Sequence, residues 1–250
     1  MTGRVQRGVR GLAHVLPVLG ALHLASAPAQ AQLAACALPE QIEAPRQESP
    51  TGQAQPRIMP IGGYLLALSW SPQHCAEARD STSFQCAGKD NRFGFVLHGL
   101  WPQGTGRDWP QYCRPAERLS TPVLRASLCA TPSVDLLQHE WARHGTCMAR
   151  APEPYFAAAR RHYARVRFPD MTRLAADGTL TVARFTQAFV AANRARLPAL
   201  DARAIRVRMT QDGWLDELWL CMDRQQRFAA CRPDWNKGAA PGRRLRIRQR

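Results

Sequence analysis

The sequence predicts one disulfide-linked domain built from both strands and helices, and three observations carry that expectation. Short apolar or alternating runs bounded by turn residues read as strands at 64–70, 93–98, 204–209 and 215–222. Segments with helical character lie among them at 133–144, 152–166 and 181–193. Eight cysteines, at 36, 75, 86, 113, 129, 147, 221 and 231, give the even count of a disulfide framework. The 250 residues contain no internal repeat and no second domain boundary, and 45% hydrophobic residues suffice for a core.

At the start of the chain, Arg4, Arg7 and Arg10 precede a mostly apolar stretch from Gly11 to Ala25 that ends at Ala29-Gln30-Ala31. Residues 1–31 therefore read as a cleavable export signal. His14, Pro17 and His23 interrupt the stretch, which falls short of the roughly 20 apolar residues a bilayer crossing needs. Leu33-Ala34-Ala35-Cys36 offers a competing reading as a lipid-attachment box, but Gln30 and Gln32 part it from the apolar run that such a box should close. Residues 32–60, rich in Pro, Gln and Glu without periodicity, are expected to form an extended leader that lies over the domain or stays mobile.

The domain itself is expected over 61–235. Tyr64 to Trp70 is apolar between Gly-Gly and Ser-Pro, as a buried strand would be, and Phe93 to His98 is a second strand. Gly99 leaves room beside His98 for a ligand or a sharp bend. Residues 101–118 read as a loop carrying Trp101, Trp109 and Tyr112. Ser133 caps the next helix, and Gly145 ends it just after His144. Phe185 and Phe189, four apart, mark the buried face of the helix at 181–193. Gln211-Asp212-Gly213 is the turn of a hairpin between the last two strands. The final ten residues hold five arginines, so 236–250 reads as a mobile basic tail.

The formal charge is +15, and about +12 without the three signal arginines, a surplus that favours polyanionic partners. No Cys-x-x-Cys pair suggests a metal knot, and none of the asparagines stands in a glycosylation acceptor. No later run is apolar and long enough to span a membrane. His74 and His162 read as surface histidines.

Two segments concentrate chemistry: His98-Gly99-Leu100-Trp101-Pro102, and His139-Glu140-Trp141-Ala142-Arg143-His144-Gly145-Thr146-Cys147. On a helix Glu140 shares a face with His144, and His139 with Arg143 one position back. A zinc peptidase would set two histidines four apart; these are five apart, so the imidazoles diverge by roughly 140°. Two imidazoles can instead act as base and acid near neutral pH, and a guanidinium can fork onto two phosphoryl oxygens. Those are the groups needed to cleave RNA with its own 2′-hydroxyl as nucleophile.

The two segments resemble the paired signatures of the ribonuclease T2 family, in all five residues of the first and all but one or two of the nine in the second. A looser resemblance runs from about Tyr64 to Cys231. It implies an α+β fold with a central antiparallel sheet and packed helices. It also implies an endoribonuclease that cleaves single-stranded RNA through a 2′,3′-cyclic phosphate, then hydrolyses that product slowly, with no metal or other cofactor. His98 and His144 would be acid and base, with their order left open. His139 would sit in the phosphate subsite, and Glu140 would orient an imidazole.

Arg143 stands where the family usually has lysine, which keeps the charge and changes its geometry. Trp101, Trp109 and Tyr112 are candidates for stacking on a base. Gln103 replaces an aspartate that helps some relatives select the base. The resemblance favours disulfides Cys113–Cys147 and Cys221–Cys231, and proximity adds Cys75–Cys86. Cys36 and Cys129 then pair, or Cys129 stays free if Cys36 carries lipid. A monomer acting on RNA in the periplasm or outside the cell is expected. The rival, an RNA-binding or cell-surface interaction protein of the same fold, is disfavoured because the three histidines and Glu140 are all present.

Overall fold

Along β-strands successive side chains face opposite ways, so the strand sequences fix two faces of a sheet before any packing is considered. The computed structural model describes residues 1–3, 33–52, 54–78, 82–88, 91–235 and 237–249; the export signal read over 1–31 lies, beyond its first three residues, outside them. In chain order the elements are β1 (Leu33–Ala35), β2 (Gly63–Trp70), α1 (Ser71–Glu77), β3 (Arg92–Phe93), β4 (Phe95–Gln103), α2 (Thr121–Ser127), α3 (Val134–Arg143), α4 (Pro152–Arg165), α5 (Met171–Ala176), α6 (Val182–Asn193), β5 (Ile205–Met209) and β6 (Leu215–Met222). Four strands form an antiparallel sheet in the order β4-β2-β6-β5, and β1 and β3 make a separate two-stranded ribbon. This is an α+β domain with a central antiparallel sheet, as expected.

One face of the sheet, with Leu66, Leu68, Phe95, Leu97, Leu218 and Leu220, joins Leu137, Trp141, Tyr155, Phe185 and Phe189 of the helices in the main core. On the other face a smaller cluster holds Leu65, Ala67, Trp219, Cys221 and Trp235, with Trp101 packed against it. The pairing of β2 with β4 contains an irregularity. Ala67 faces Gly99 while the next residue, Leu68, faces Leu97, so His98 has no partner opposite it. Such a bulge changes which residues share a face. Leu97 and Leu100 consequently both enter the main core, while His98, Gly99 and Trp101 belong to the opposite side.

The helices at 133–144, 152–166 and 181–193 and the final hairpin lie where the pattern places them, with Ser133 and Thr181 as side-chain N-caps. β4 runs through Gln103, further than expected, because Trp101, Pro102 and Gln103 pair with Leu65, Tyr64 and Gly63. Helices α1, α2 and α5, of seven, seven and six residues, were not expected; they are too short to show a period.

Both flanking segments are more structured than their composition suggests. In the leader, β1 pairs with β3, Arg46 donates from its backbone N and from Nε to Asp135 at 2.8 Å each, and Arg57 pairs with Gln111. The arginine-rich end is no mobile tail: Leu245 and Ile247 are 3% and 5% exposed, and Leu215 N and Trp70 Nε1 donate to the carbonyls of Arg246 and Arg248. The alternation Arg244-Leu245-Arg246-Ile247-Arg248 is a strand pattern that the charge count concealed. His162 is a second correction. It is buried in α4, with Nε2 2.9 Å from Gln226 Oε1, whereas His74 is exposed as expected.

Four disulfides close the fold: Cys36–Cys129, Cys75–Cys86, Cys113–Cys147 and Cys221–Cys231. The first engages the sulfur that lipid attachment would require, which removes that alternative. If the terminal segment is core, Ile247→Ala will destabilise the protein by about 2–5 kcal/mol in urea unfolding. A segment free in solvent would show no change.

Candidate active site

Four chain segments converge on one cavity of about 390 Å³ whose lining includes His98, Trp101, His139, Glu140, Arg143 and His144. β4 delivers His98 and Trp101, while α3 delivers His139, Glu140 and Arg143 and ends on His144. The two elements meet at Gly99, where a Cβ would collide with the Glu140 carboxylate and the Trp101 indole nitrogen. Only glycine lets the Glu140 side chain into the sheet at this point.

Glu140 is 1% exposed. Its Oε2 accepts hydrogen bonds from Trp101 Nε1 at 2.8 Å and Tyr155 OH at 3.4 Å, and Oε1 lies 3.6 Å from His98 Nε2. Burial pushes the carboxyl up to about 7, against the lowering influence of His98, Trp101 and Tyr155. Trp101 is thereby a strut. Its ring stacks on His144 with centroids 5.5 Å apart, meets His98 edge-on at 5.0 Å, and abuts Trp219 at 5.4 Å.

The two imidazoles that pack on Trp101 have opposite surroundings. His98 Nδ1 lies 2.6 Å from Glu217 Oε1, which also accepts from Ser69 Oγ at 3.0 Å. Burial disfavours the His98 cation, but the bond to Glu217 and the charges of Glu140, Glu217 and Asp216 outweigh it, and its pKa is raised. His144 is held well below the ordinary value by burial, then by the nearby charges of Arg143, His139 and His98. Its Nδ1, like Arg143 Nε and Glu140 Oε1, is buried without a hydrogen-bond partner. His139 is also lowered, chiefly by burial, although Glu48 Oε1 sits 3.1 Å from its Nδ1.

Residues 61–231, which contain every one of these side chains except Glu48, match the Ribonuclease T2 family. The chain belongs to the ribonuclease T2 family. It is 36% identical over 126 residues to a probable ribonuclease of Haemophilus influenzae, covering 44% of this chain and 45% of that protein. It is 45% identical over 84 residues to a ribonuclease of Aeromonas hydrophila, covering 34% of this chain and 36% of that one. The matches thus span less than half the length of these curated relatives. Among solved structures, RNase NT in complex with 5′-AMP aligns with a TM-score of 0.58 at 20% identity, over 76% of this chain and 98% of that one. Trichomaglin, described as an S-like ribonuclease, aligns at 0.55 and 17%, over 73% and 96%. At those identities the likeness establishes the fold.

For this T2-family chain the structure brings His98, Trp101, His139, Glu140, Arg143, His144 and Trp109 to one cavity, with Gln103 also in its wall. Tyr112 is not among them. Its ring is 6% exposed, its hydroxyl donates to Glu48 at 2.8 Å, and its backbone N–H donates to the Arg143 carbonyl at 2.9 Å. Held at a φ of 48°, it braces the loop and offers no free face to a base. Three residues the sequence reading missed join the site: Ser69 and Glu217 behind His98, and Glu48 behind His139. Ser69 and Glu217 are register partners in adjacent strands, a relation no single segment displays.

Replacing Gly99 by Ala tests the contact that joins sheet and helix. The added methyl will lower stability by about 1–3 kcal/mol. It will also displace the Trp101 indole from Glu140, read as altered tryptophan fluorescence. Unchanged unfolding and emission would show that the contact is loose.

Proposed function

We propose that the protein is an endoribonuclease that cleaves single-stranded RNA without a metal, by transphosphorylation to a 2′,3′-cyclic phosphate and then slow hydrolysis to a 3′-phosphate. The observation that carries the reading is the pair of imidazoles with opposite proton affinities on one tryptophan, His98 raised and His144 lowered. A concerted displacement needs one ring protonated and one neutral at the same pH.

The neutral imidazole of His144 takes the proton of the ribose 2′-hydroxyl as its oxygen attacks phosphorus. The imidazolium of His98 gives its proton to the departing 5′-oxygen. In the hydrolytic step the roles reverse, with water as nucleophile. Glu140 and Glu217, on opposite ring nitrogens of His98, support its cationic form. Arg143, with Nε buried and uncommitted, supplies positive charge to the phosphoryl oxygens, and His139 beside it offers a ring N–H to them. Trp109 lies in the cavity wall as the candidate for stacking on a base, with the Arg57 guanidinium 5.6 Å from its ring centroid, while Trp101 contributes the floor that orients both rings.

We assign residues 1–31 to an export signal and 61–235 to the catalytic domain, acting as a monomer in the periplasm or outside the cell. Disulfides form and persist in such oxidising compartments. No helix among the described residues is long and apolar enough to cross a membrane.

The test is incubation of the oxidised protein with single-stranded RNA in excess chelator, followed by end-group analysis. Cyclic phosphate ends are expected, and His98→Ala and His144→Ala should each lose at least about a hundredfold in turnover. Undiminished activity in either variant overturns the assignment, and cleavage that returns only on adding a metal overturns the mechanism.

The pH profile checks the direction of proton transfer. As the acid, His98 must be protonated, so activity falls as pH rises through its raised pKa. Glu217→Gln removes influences that raise that pKa, so the alkaline limb of kcat/KM will move to lower pH. Movement of the acid limb instead would reverse the roles of the two histidines.

A further inference from the structure

We infer that the segment before the family-matched span, through Glu48, is a working part of this site: Glu48 is a positioning residue that fixes the ring of His139 for phosphate binding. This rests on the proposed ribonuclease reading. Glu48 lies thirteen residues ahead of the matched span of 61–231. Its Oε1 is nevertheless 3.1 Å from His139 Nδ1 and accepts from Tyr112 OH at 2.8 Å. The contact is partly buried, with the two side chains 32% and 30% exposed for His139 and Glu48, and becomes an ion pair when His139 is protonated.

The leader is docked on both sides of this contact. Arg46 binds Asp135, in the first turn of the helix that carries His139, through its backbone N and its Nε. Downstream, Gln55 O accepts from Gln111 Nε2 at 2.7 Å, and Arg57 exchanges two backbone hydrogen bonds with Gln111 at 2.8 and 2.9 Å. Arg57 Nη1 also donates to the Trp109 carbonyl at 3.1 Å. Glu48 is therefore presented by a strap tied at its two ends, with the rotamer freedom of its carboxylate reduced by Tyr112.

The chemical consequence concerns which nitrogen of His139 is free. A carboxylate on Nδ1 holds a proton there and leaves Nε2 as the second nitrogen. When a phosphate dianion or diester arrives, the ring can be doubly protonated, shared between Glu48 on one side and a phosphoryl oxygen on the other. Without Glu48, burial and the positive charges of Arg143 and His98 would lower the affinity of His139 for a second proton still further, and the ring would lose the hydrogen bond that orients it. His144, whose ring centroid is 6.5 Å away, adds to that bias whenever it takes up a proton. Glu48 is the carboxylate that opposes these groups.

The experiment combines histidine NMR titration of the intact protein with kinetics on an RNA dinucleotide, for Glu48→Gln, His139→Ala and the double variant. Glu48→Gln should move the His139 titration to lower pH and reduce kcat/KM by about tenfold, the scale of one charge-assisted hydrogen bond. In the His139→Ala background the same substitution should change kcat/KM less than about twofold, whereas general disturbance of the leader would carry over in full. An unmoved His139 titration, or an equal loss in both backgrounds, overturns the inference. The titration requires no turnover, so it stands apart from the parent reading, which fails if His98→Ala and His144→Ala keep full activity.

Discussion

Glu140 meets the sheet at Gly99, the one residue of β4 that has no side chain, and the geometry of the cavity depends on that approach. A helix normally stands off a sheet by the depth of two layers of side chains. Here Gly99 removes one layer, so the Glu140 carboxylate reaches the Trp101 indole and comes within 3.6 Å of His98. The unpaired His98 immediately before it turns the strand so that His98 and Trp101, three residues apart, serve the same side. In a regular strand they would face opposite ways. Bulge and glycine are adjacent because they solve one problem, that of bringing a strand-borne imidazole against a helix-borne carboxylate.

The same seam separates two electrostatic environments only a tryptophan's width apart. Carboxylates gather on the sheet side, with Glu217 on His98 Nδ1, Glu140 near Nε2, and Asp216 adding its charge. Groups that disfavour a charged His144 gather at the end of the helix, where Arg143 precedes it and His139 stands just over a turn back. Burial lowers both imidazoles, and the neighbours then drive them apart. The result is a site in which burial is common to both rings and the difference between them comes from which element each ring is attached to.

How much of this was legible in sequence follows from how local each relation is. His98, His139, Glu140, Arg143 and His144 sit in two short segments, and helical spacing alone groups the last four. Ser69 and Glu217 were invisible because their relation to His98 depends on the register of three strands. A signal for Glu217 did exist: it shares strand parity with Trp219 and Cys221, an acidic residue continuing an otherwise buried row. Tyr112 shows the opposite failure, an aromatic beside the right segment whose ring is spent on bracing. The basic tail misled for a third reason. Its arginine content masks an alternation in which Leu245 and Ile247 fill core positions between the arginines.

Segments so distant in sequence must be held together against the entropy of the loops between them, and two of the four disulfides close long separations at this site. Cys113–Cys147 closes a separation of 34 residues, for which chain-entropy arguments give about 3–4 kcal/mol. It joins the loop carrying Trp109 to the turn that follows His144, beside the backbone bond from Tyr112 to Arg143. The end of α3 is thus fixed from outside the helix, where fraying would otherwise be easiest. Cys36–Cys129 spans 93 residues and pins the start of the leader, upstream of the Arg46–Asp135 contact. A strap anchored first by a covalent bond and then by an ion pair can present a single carboxylate with little residual freedom. That explains why a stretch with the composition of a disordered linker can nonetheless hold a carboxylate against His139: its order comes from where it is tied, and its own side chains need contribute little core.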